Sequence, residues 1–220
     1  MPRASEQARV RYNCTVPTAP ASGPGGGKIF CLGLTKTGTT SLHHALQALG
    51  FRSLHWGPDD EANGGTRMYL EVLRAKQEGR RLLDHIGDDY DAYSDIETLS
   101  KSFDLADVQY PGSRFILTVR DVEVWLDSRR RHVERNQRQK AEGTYAGAGS
   151  SLRIDVDAWR REWDEHVGRV LSHFTSRPDD LLVMDVTAGD GYERLAPFLD
   201  RQVPPTPFPR ENVNVEHLTY

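Results

Sequence analysis

The segment that most constrains this chain is residues 28–49, KIFCLGLTKTGTTSLHHALQAL, in which an apolar run, a Gly/Thr/Lys turn and an amphipathic pattern follow one another. The continuous apolar run 29–32 predicts a strand buried on both faces of a parallel sheet. Apolar residues then recur at steps of three and four from Leu42 to Leu49, and Gly50 is suited to end that helix. A strand, a glycine turn and a helix in this order predict an α/β domain.

The turn between this strand and helix predicts a phosphate site. Its backbone N–H groups and the helix N-terminus point at one spot, which favours an anion. In the nucleoside-triphosphate loop GxxxxGK[ST] the lysine follows the second glycine. Here Lys36 precedes Gly38, and Thr39 and Thr40 follow it. The turn is therefore predicted to bind phosphate without being a Walker A loop, the alternative being a helix start that binds no ligand.

A second candidate phosphate contact follows the next clear strand. Residues 114–119, RFILTV, predict another buried strand, which ends at Arg120, and Ser128 lies further along in the predicted helix. Parallel sheets bind ligands at the carboxyl ends of their strands, so Arg120 is expected beside the glycine turn. A guanidinium binds phosphate through paired hydrogen bonds. The alternative is that Arg120 pairs with a nearby carboxylate such as Asp121 or Glu123.

The remaining elements follow from the same kind of pattern. Helices are predicted over 68–83, 97–108, 121–134, 156–174 and 192–199, with Asp121 able to cap the third, and further strands over 90–94 and 181–186. The polar, glycine-rich segment 136–153 is predicted to be a flexible lid or an insertion. Residues 1–27, rich in Pro, Gly, Ser and Ala, are predicted to be a disordered or mobile tail.

Together the two phosphate motifs resemble those of the family of sulfotransferases that use 3'-phosphoadenosine 5'-phosphosulfate (PAPS). Residues 35–40, TKTGTT, match the family's phosphosulfate loop, [PT]-K-[ST]-G-[TS]-[TS]. Arg120 and Ser128, after a strand reading ILTVRD, match its R-x7-S motif for the 3'-phosphate. The resemblance covers nearly all of 28–215. It implies that the donor is bound by Thr35, Lys36, Thr37, Gly38, Thr39, Thr40, Arg120 and Ser128.

The resemblance also implies a fold and a reaction. The expected fold is a three-layer α/β sandwich with a central parallel sheet flanked by helices, like that of the P-loop NTPases, over 28–220. The expected reaction transfers a sulfuryl group from PAPS to a hydroxyl or amine of a small-molecule acceptor. The nucleotide product is 3'-phosphoadenosine 5'-phosphate (PAP), and no metal is required. The C-terminal R-K-G-x-x-G segment, which closes over the 3'-phosphate in better-known members, is absent, and Arg210 or the 136–153 segment is expected to do part of its work.

The candidate catalytic residues are Lys36, Thr39 and Asp95. Lys36 and Thr39 are placed to stabilise charge on the leaving phosphate, by analogy with phosphoryl transfer. Family members carry a general base near the end of the strand between the two motifs, where Asp95 follows the predicted strand 90–94. Asp95 is alternatively the N-cap of the helix at Glu97. Other candidates for the base are Asp84, His85, His43 and His44, while His55, Trp56, Trp159 and Trp163 are candidates for lining the acceptor pocket.

Length, charge and hydropathy argue against nucleic-acid binding, membrane association and secretion. A chain of 220 residues fits one domain, and its net charge of -4 gives no global electrostatic reason to bind nucleic acid or an anionic membrane. No apolar run approaches the length of about 20 residues that spans a bilayer, and the N-terminus lacks the apolar core of a signal peptide. A cytoplasmic protein is expected. A small-molecule or nucleotide kinase with a divergent P-loop and a non-catalytic nucleotide-binding protein remain the alternatives.

Overall fold

The computed structural model describes residues 27–56, 65–86, 89–145 and 152–211, and nearly all of the predicted tail lies outside these ranges. Their core is a five-stranded sheet in which every paired strand is parallel, in the order β2-β3-β1-β4-β5. The strands are β1 (Ile29–Cys31), β2 (Ser53–His55), β3 (Ala92–Ser94), β4 (Arg114–Thr118) and β5 (Leu181–Met184). The central position of β1 agrees with its continuous apolar sequence.

Helices cover both faces of the sheet, which confirms the predicted three-layer α/β fold. They are α1 (Thr39–Ala48), α2 (Gly65–Gln77), α3 (Glu97–Ser100), α4 (Phe103–Gln109), α5 (Val122–Ala141), α6 (Val156–His173) and α7 (Tyr192–Phe198). Successive residues of β1 point to opposite faces: Phe30 packs with residues of α2, α3, α4 and α6, while Ile29 packs with residues of α1 and α7. Two buried apolar layers therefore hold the sheet from both sides.

Several predicted elements differ from those observed. Strand β2 was not predicted, and the helix predicted over 68–83 ends at Gln77 because Gly79 adopts a left-handed backbone with φ of 66°. The helix predicted over 97–108 is two helices, because the backbone at Ser102 (φ -108°, ψ 28°) leaves the helical region. Helix α5 continues to Ala141, so the first part of the predicted lid, 136–141, is helical.

The chain order of the strands determines where a ligand can bind. From β1 the chain continues to β2 on one side of the sheet, whereas from β4 it continues to β5 on the other side. Connections that leave neighbouring strands in opposite directions open a crevice at the carboxyl ends of those strands. The loop after β1 and the segment after β4 border this crevice; the first contains residues 35–40 of the predicted phosphosulfate loop, and the second contains Arg120.

A close contact between the loop after β1 and strand β4 requires a glycine. The Thr37 hydroxyl donates to the Leu34 carbonyl at 2.6 Å and lies 2.6 Å from the Thr118 hydroxyl. A Cβ on Gly33 would come within 1.8 Å of the Thr118 hydroxyl oxygen and 2.7 Å of that of Thr37. Neither hydroxyl can retreat without giving up this hydrogen bond, so the loop conformation excludes any side chain at position 33.

We therefore expect Gly33→Ala to lower the free energy of unfolding by about 1–3 kcal/mol, the usual cost of overpacking. The matched control is Gly168→Ala on α6, where an added Cβ meets no atom within 4 Å. Because alanine favours a helix interior over glycine, this control should raise the free energy of unfolding by about 0.5–1 kcal/mol. Urea denaturation of both variants measures the difference, and a Gly33→Ala protein as stable as the wild type would contradict the prediction.

Candidate functional site

The loop between β1 and α1 has a backbone suited to binding an anion. Lys36 and Gly38 both have positive φ, 73° and 93°. For lysine this conformation is uncommon, and such strain concentrates at functional sites. Gly38 is the N-cap residue of α1 and supplies no side-chain cap, so the first N–H groups of α1 receive no hydrogen bond from it. The helix N-terminus thus presents backbone donors at the crevice.

The segment after β4 holds this loop from the other side. The Trp125 indole donates from Nε1 to the Thr35 carbonyl at 2.9 Å, and Arg120 Nη1 donates to the Lys36 carbonyl at 3.3 Å. Ser128 lies about one turn beyond Trp125 and is buried. The two motifs therefore lie at the same edge of the sheet, as their positions after β1 and β4 predicted.

Positive charge accumulates around Lys36. Burial lowers the pKa of Lys36, and the charges of Arg135 and Arg120 lower it further, while Asp95 opposes them. Burial also lowers the pKa of His132 on α5, to about 4, with Lys36 and Arg135 adding to the effect. Neither Arg135 nor His132 was predicted for this site, because the sequence does not show which face of α5 adjoins Lys36.

Lys36 and Arg120 have no ion-pair partner within the described ranges, and the buried Nε of Arg120 has no hydrogen-bond partner there. Asp121 and Glu123, the alternative partners of Arg120, form other contacts. Asp121 caps α5 by accepting a hydrogen bond from the Val124 N–H at 3.0 Å, and Glu123 pairs with Arg160 at 2.7 Å. The alternative that Arg120 pairs with Asp121 or Glu123 is therefore wrong.

The predicted loop residues differ in what their side chains can reach. The Thr37 side chain is fully buried against β4 and shapes the loop, and Thr39 is buried facing Asp95. The Thr35 side chain is exposed. Ser41, one residue beyond the predicted motif, accepts a hydrogen bond from the backbone N–H of Glu211 at 2.9 Å. The exposed Arg210 thus adjoins a segment that crosses the start of α1.

Asp95 is a strained, buried carboxylate at the end of β3. Its φ is 57°, its side chain is 14% exposed, and its buried Oδ1 has no hydrogen-bond partner in the described part of the chain. Burial raises its pKa to about 7, although the Lys36 charge and the Thr39 side chain favour the ionised form. The residue that caps α3 is Ile96, with no side-chain cap. The alternative that Asp95 is a helix cap is therefore wrong.

The other candidates for the general base lie away from Asp95 or bind other residues. The turn holding Asp84 and His85 is anchored by the Leu83 N–H donating to the Tyr110 hydroxyl at 2.8 Å. Tyr110 lies just before β4, so this turn is at the amino ends of the strands, opposite the loop. His44 is 40% exposed and faces Glu211, with 3.3 Å between His44 Nδ1 and Glu211 Oε1. His43 hydrogen-bonds Ser53 rather than Asp95.

The unpredicted strand β2 places a histidine beside Asp95. His55 pairs in register with Ser94 on β3, and its Nε2 lies 3.8 Å from Asp95 Oδ2. The sequence indicated His55 only as a candidate for the acceptor pocket, because the three residues of β2 are too short a run to give a strand signal. Trp159 and Trp163, also considered for that pocket, are buried in a cluster with Trp125.

A kinase of the P-loop type would need an aspartate after a buried strand, and Asp185, which directly follows β5, is used within its own turn. Its Oδ1 accepts hydrogen bonds from the Thr187 N–H at 2.9 Å, the Thr187 hydroxyl at 2.7 Å and the Ala188 N–H at 2.9 Å. These bonds leave Oδ1 little capacity for a ligand. The arrangement gives no support to the kinase alternative.

Replacing Asp95 should change how stability depends on pH. Since folding raises its pKa from 3.8 to about 7, the folded state holds the proton more tightly, and wild-type stability is lost as pH rises from about 4 to 7. Asp95→Asn should therefore be more stable than the wild type at pH 8, by up to about 4 kcal/mol, and gain nothing by this mechanism at pH 3.

Urea denaturation at the two pH values measures this difference. Asp84→Asn, which removes an exposed carboxylate, is the control and should stay within about 0.5 kcal/mol of the wild type at both. An Asp95→Asn advantage that is the same at pH 3 and pH 8 would show that ionisation of Asp95 is not its cause.

Comparison with known proteins adds two findings. Residues 28–217 match the sulfotransferase domain as a protein family. The Ava biosynthesis cluster protein M of Aspergillus versicolor is 30% identical over 107 residues. That match takes in 46% of this chain and 41% of the relative, so the chain spans less than half the length of this curated protein. Among the described helices, none combines the length and apolarity needed to cross a membrane.

Proposed function

Since this chain belongs to the sulfotransferase domain family, we propose that it transfers a sulfuryl group from PAPS to a hydroxyl or amine of a small-molecule acceptor. The observation that carries the proposal is the pair Lys36 and Arg120 beside the N-terminus of α1: both cations are partly buried, and neither is within ion-pair distance of a carboxylate in the described ranges. Buried charges are normally paired, so such a pair favours an anionic ligand.

The two ends of the donor fit two parts of this site. The 5'-phosphosulfate is assigned to Lys36 and the first N–H groups of α1, at Thr39 and Thr40, where the helix dipole favours negative charge. The 3'-phosphate is assigned to Arg120 and Ser128, with Arg210 as a further candidate. Two separate contacts at one crevice suit a nucleotide that carries anionic groups at two positions better than they suit a single triphosphate chain.

The chain's own residues then have distinct roles. When bound, PAPS supplies the sulfuryl group and leaves as PAP. Lys36 stabilises negative charge on the phosphate side of the site, and the loop N–H groups hold that phosphate in place. Asp95 accepts the proton of the acceptor hydroxyl or amine. Thr35 and Thr37 contribute through the shape of the loop, and Thr39 supports the ionised form of Asp95.

The donor prediction is tested by ligand-induced stabilisation. We expect PAP, at about 100 times its dissociation constant, to raise the free energy of unfolding by about 2.7 kcal/mol. ATP with Mg²⁺ at the same concentration should stabilise the protein less. Stabilisation by ATP–Mg²⁺ but not by PAP would favour the kinase alternative and contradict our proposal. PAP binding without turnover of PAPS, in a broad acceptor screen, would favour the non-catalytic alternative.

A pair of arginine variants locates the 3'-phosphate. Arg120→Ala should weaken PAP binding by about 10- to 100-fold, because it removes hydrogen bonds to a charged group. Arg130→Ala is the matched control: Arg130 is exposed on α5, 3.9 Å from Asp127, and its loss should leave PAP affinity unchanged. Titration calorimetry with PAP compares the two, and equal losses would mean that only the general positive field matters.

The role of Asp95 predicts a pH profile. Because the ionised carboxylate is the base and its pKa is raised to about 7, kcat/KM should rise with pH and level off above about pH 7. Asp95→Asn should lower kcat by about 10²- to 10⁴-fold and remove this dependence. Asp84→Asn should retain the wild-type profile. An Asp95→Asn enzyme that keeps the rise near pH 7 would assign the base to another group.

A further inference from the structure

His55 contacts both groups that the proposed proton transfer depends on. It ends β2, is 6% exposed, and is held beside the end of β3 by the pairing of His55 with Ser94. Its Nε2 lies 3.5 Å from the Thr39 hydroxyl and 3.8 Å from Asp95 Oδ2. The second distance is slightly beyond a hydrogen bond, as catalytic contacts in unliganded sites often are. The proposed function as derived above uses no part of this imidazole.

We propose that His55 is a positioning residue that donates its Nε2–H to the Asp95 carboxylate and thereby keeps this carboxylate ionised beside the loop. This inference rests on the proposed role of Asp95 as the base. A buried carboxylate needs donors to remain charged, and the described groups that favour its charge are Lys36 and Thr39. An N–H from β2 adds a neutral donor on the side of Asp95 next to that strand.

The surroundings of His55 keep the imidazole neutral. Burial, together with the charges of His43 and His44 on α1, lowers its pKa to about 4. The ring of His43 is 5.1 Å from that of His55. A neutral imidazole carries one N–H, and an ionised carboxylate can only accept. The contact therefore requires the tautomer with the proton on Nε2.

The charged groups around Asp95 explain why this donor matters. Lys36 on the loop favours the carboxylate, whereas Glu97 on α3 disfavours it and raises its pKa. The anionic phosphosulfate of PAPS, bound at Lys36, would neutralise the positive charge that favours the ionised carboxylate and would add negative potential. A neutral N–H donor such as His55 is not cancelled in this way. It supports the ionised base in the state in which proton transfer has to occur.

Two substitutions that replace the imidazole with a side-chain amide separate the Nε2 contact from the other effects of changing His55. His55→Gln places an N–H near the Nε2 position, whereas His55→Asn places one only near Nδ1. We expect His55→Asn to raise the pKa of the Asp95 carboxyl by about one unit, a tenfold change in its ionisation, and His55→Gln to leave it nearly unchanged. His44→Gln removes the exposed imidazole of His44 on α1, and it should also leave the pKa of Asp95 unchanged.

Carboxyl ¹³C NMR titration of the full chain measures this pKa directly, with Asp95→Asn used to assign the resonance. Equal shifts in His55→Asn and His55→Gln, or none in either, would overturn the proposal. The titration needs no turnover, so an absence of sulfuryl transfer would count against the proposed function while the coupling of His55 to Asp95 is still measured.

The wild-type protein gives a second measurement, which does not depend on how the variants fold. Imidazole ¹⁵N NMR at pH 8 should find the proton of His55 on Nε2. A proton on Nδ1 would overturn the proposal, because Nε2 would then be an acceptor facing a carboxylate.

Discussion

A pair of buried hydroxyls fixes the relation between the loop after β1 and strand β4. Because the Thr37 hydroxyl donates to the Leu34 carbonyl, the Thr118 hydroxyl has to donate to Thr37, in a contact buried between the loop and β4. This contact is possible only because Gly33 has no Cβ. Arg120 follows Thr118 by two residues, so the interaction that shapes the loop also sets Arg120 beside Lys36. The two candidate phosphate contacts are therefore one structural unit.

Burial acts in opposite directions on the two charged groups of the site. It lowers the pKa of Lys36 and raises that of Asp95, so each is pushed towards its neutral form although their charges attract. An anionic ligand at the loop favours the charged form of Lys36 and disfavours ionised Asp95. The chemistry proposed for this site needs both groups charged at once. Neutral donors such as Thr39 and His55 are the kind of group that reconciles these demands.

The sequence predicted the positions of Lys36 and Arg120 better than the surroundings of Asp95. Strands β1 and β4 are continuous apolar runs, and the residues that follow them are close in sequence to those strands. Strand β2 has only three residues, and its pairing with β3 joins segments far apart in the chain, which no local pattern reports. His55 was therefore not recognised as a neighbour of Asp95. The helix ends were missed where one backbone angle, as at Gly79, outweighed the apolar spacing.

Helix α5 connects the surroundings of Arg120 with those of Lys36. The helix starts directly after Arg120, and its early turns are fixed to the loop by the Trp125 indole. Ser128, His132 and Arg135 then recur at steps of four and three, which is one face of a helix. The electrostatic effects of Lys36 and Arg135 on His132 show that this face adjoins the loop. A helix that begins just after Arg120 and passes close to Lys36 thus brings the charge of Arg135 to the loop.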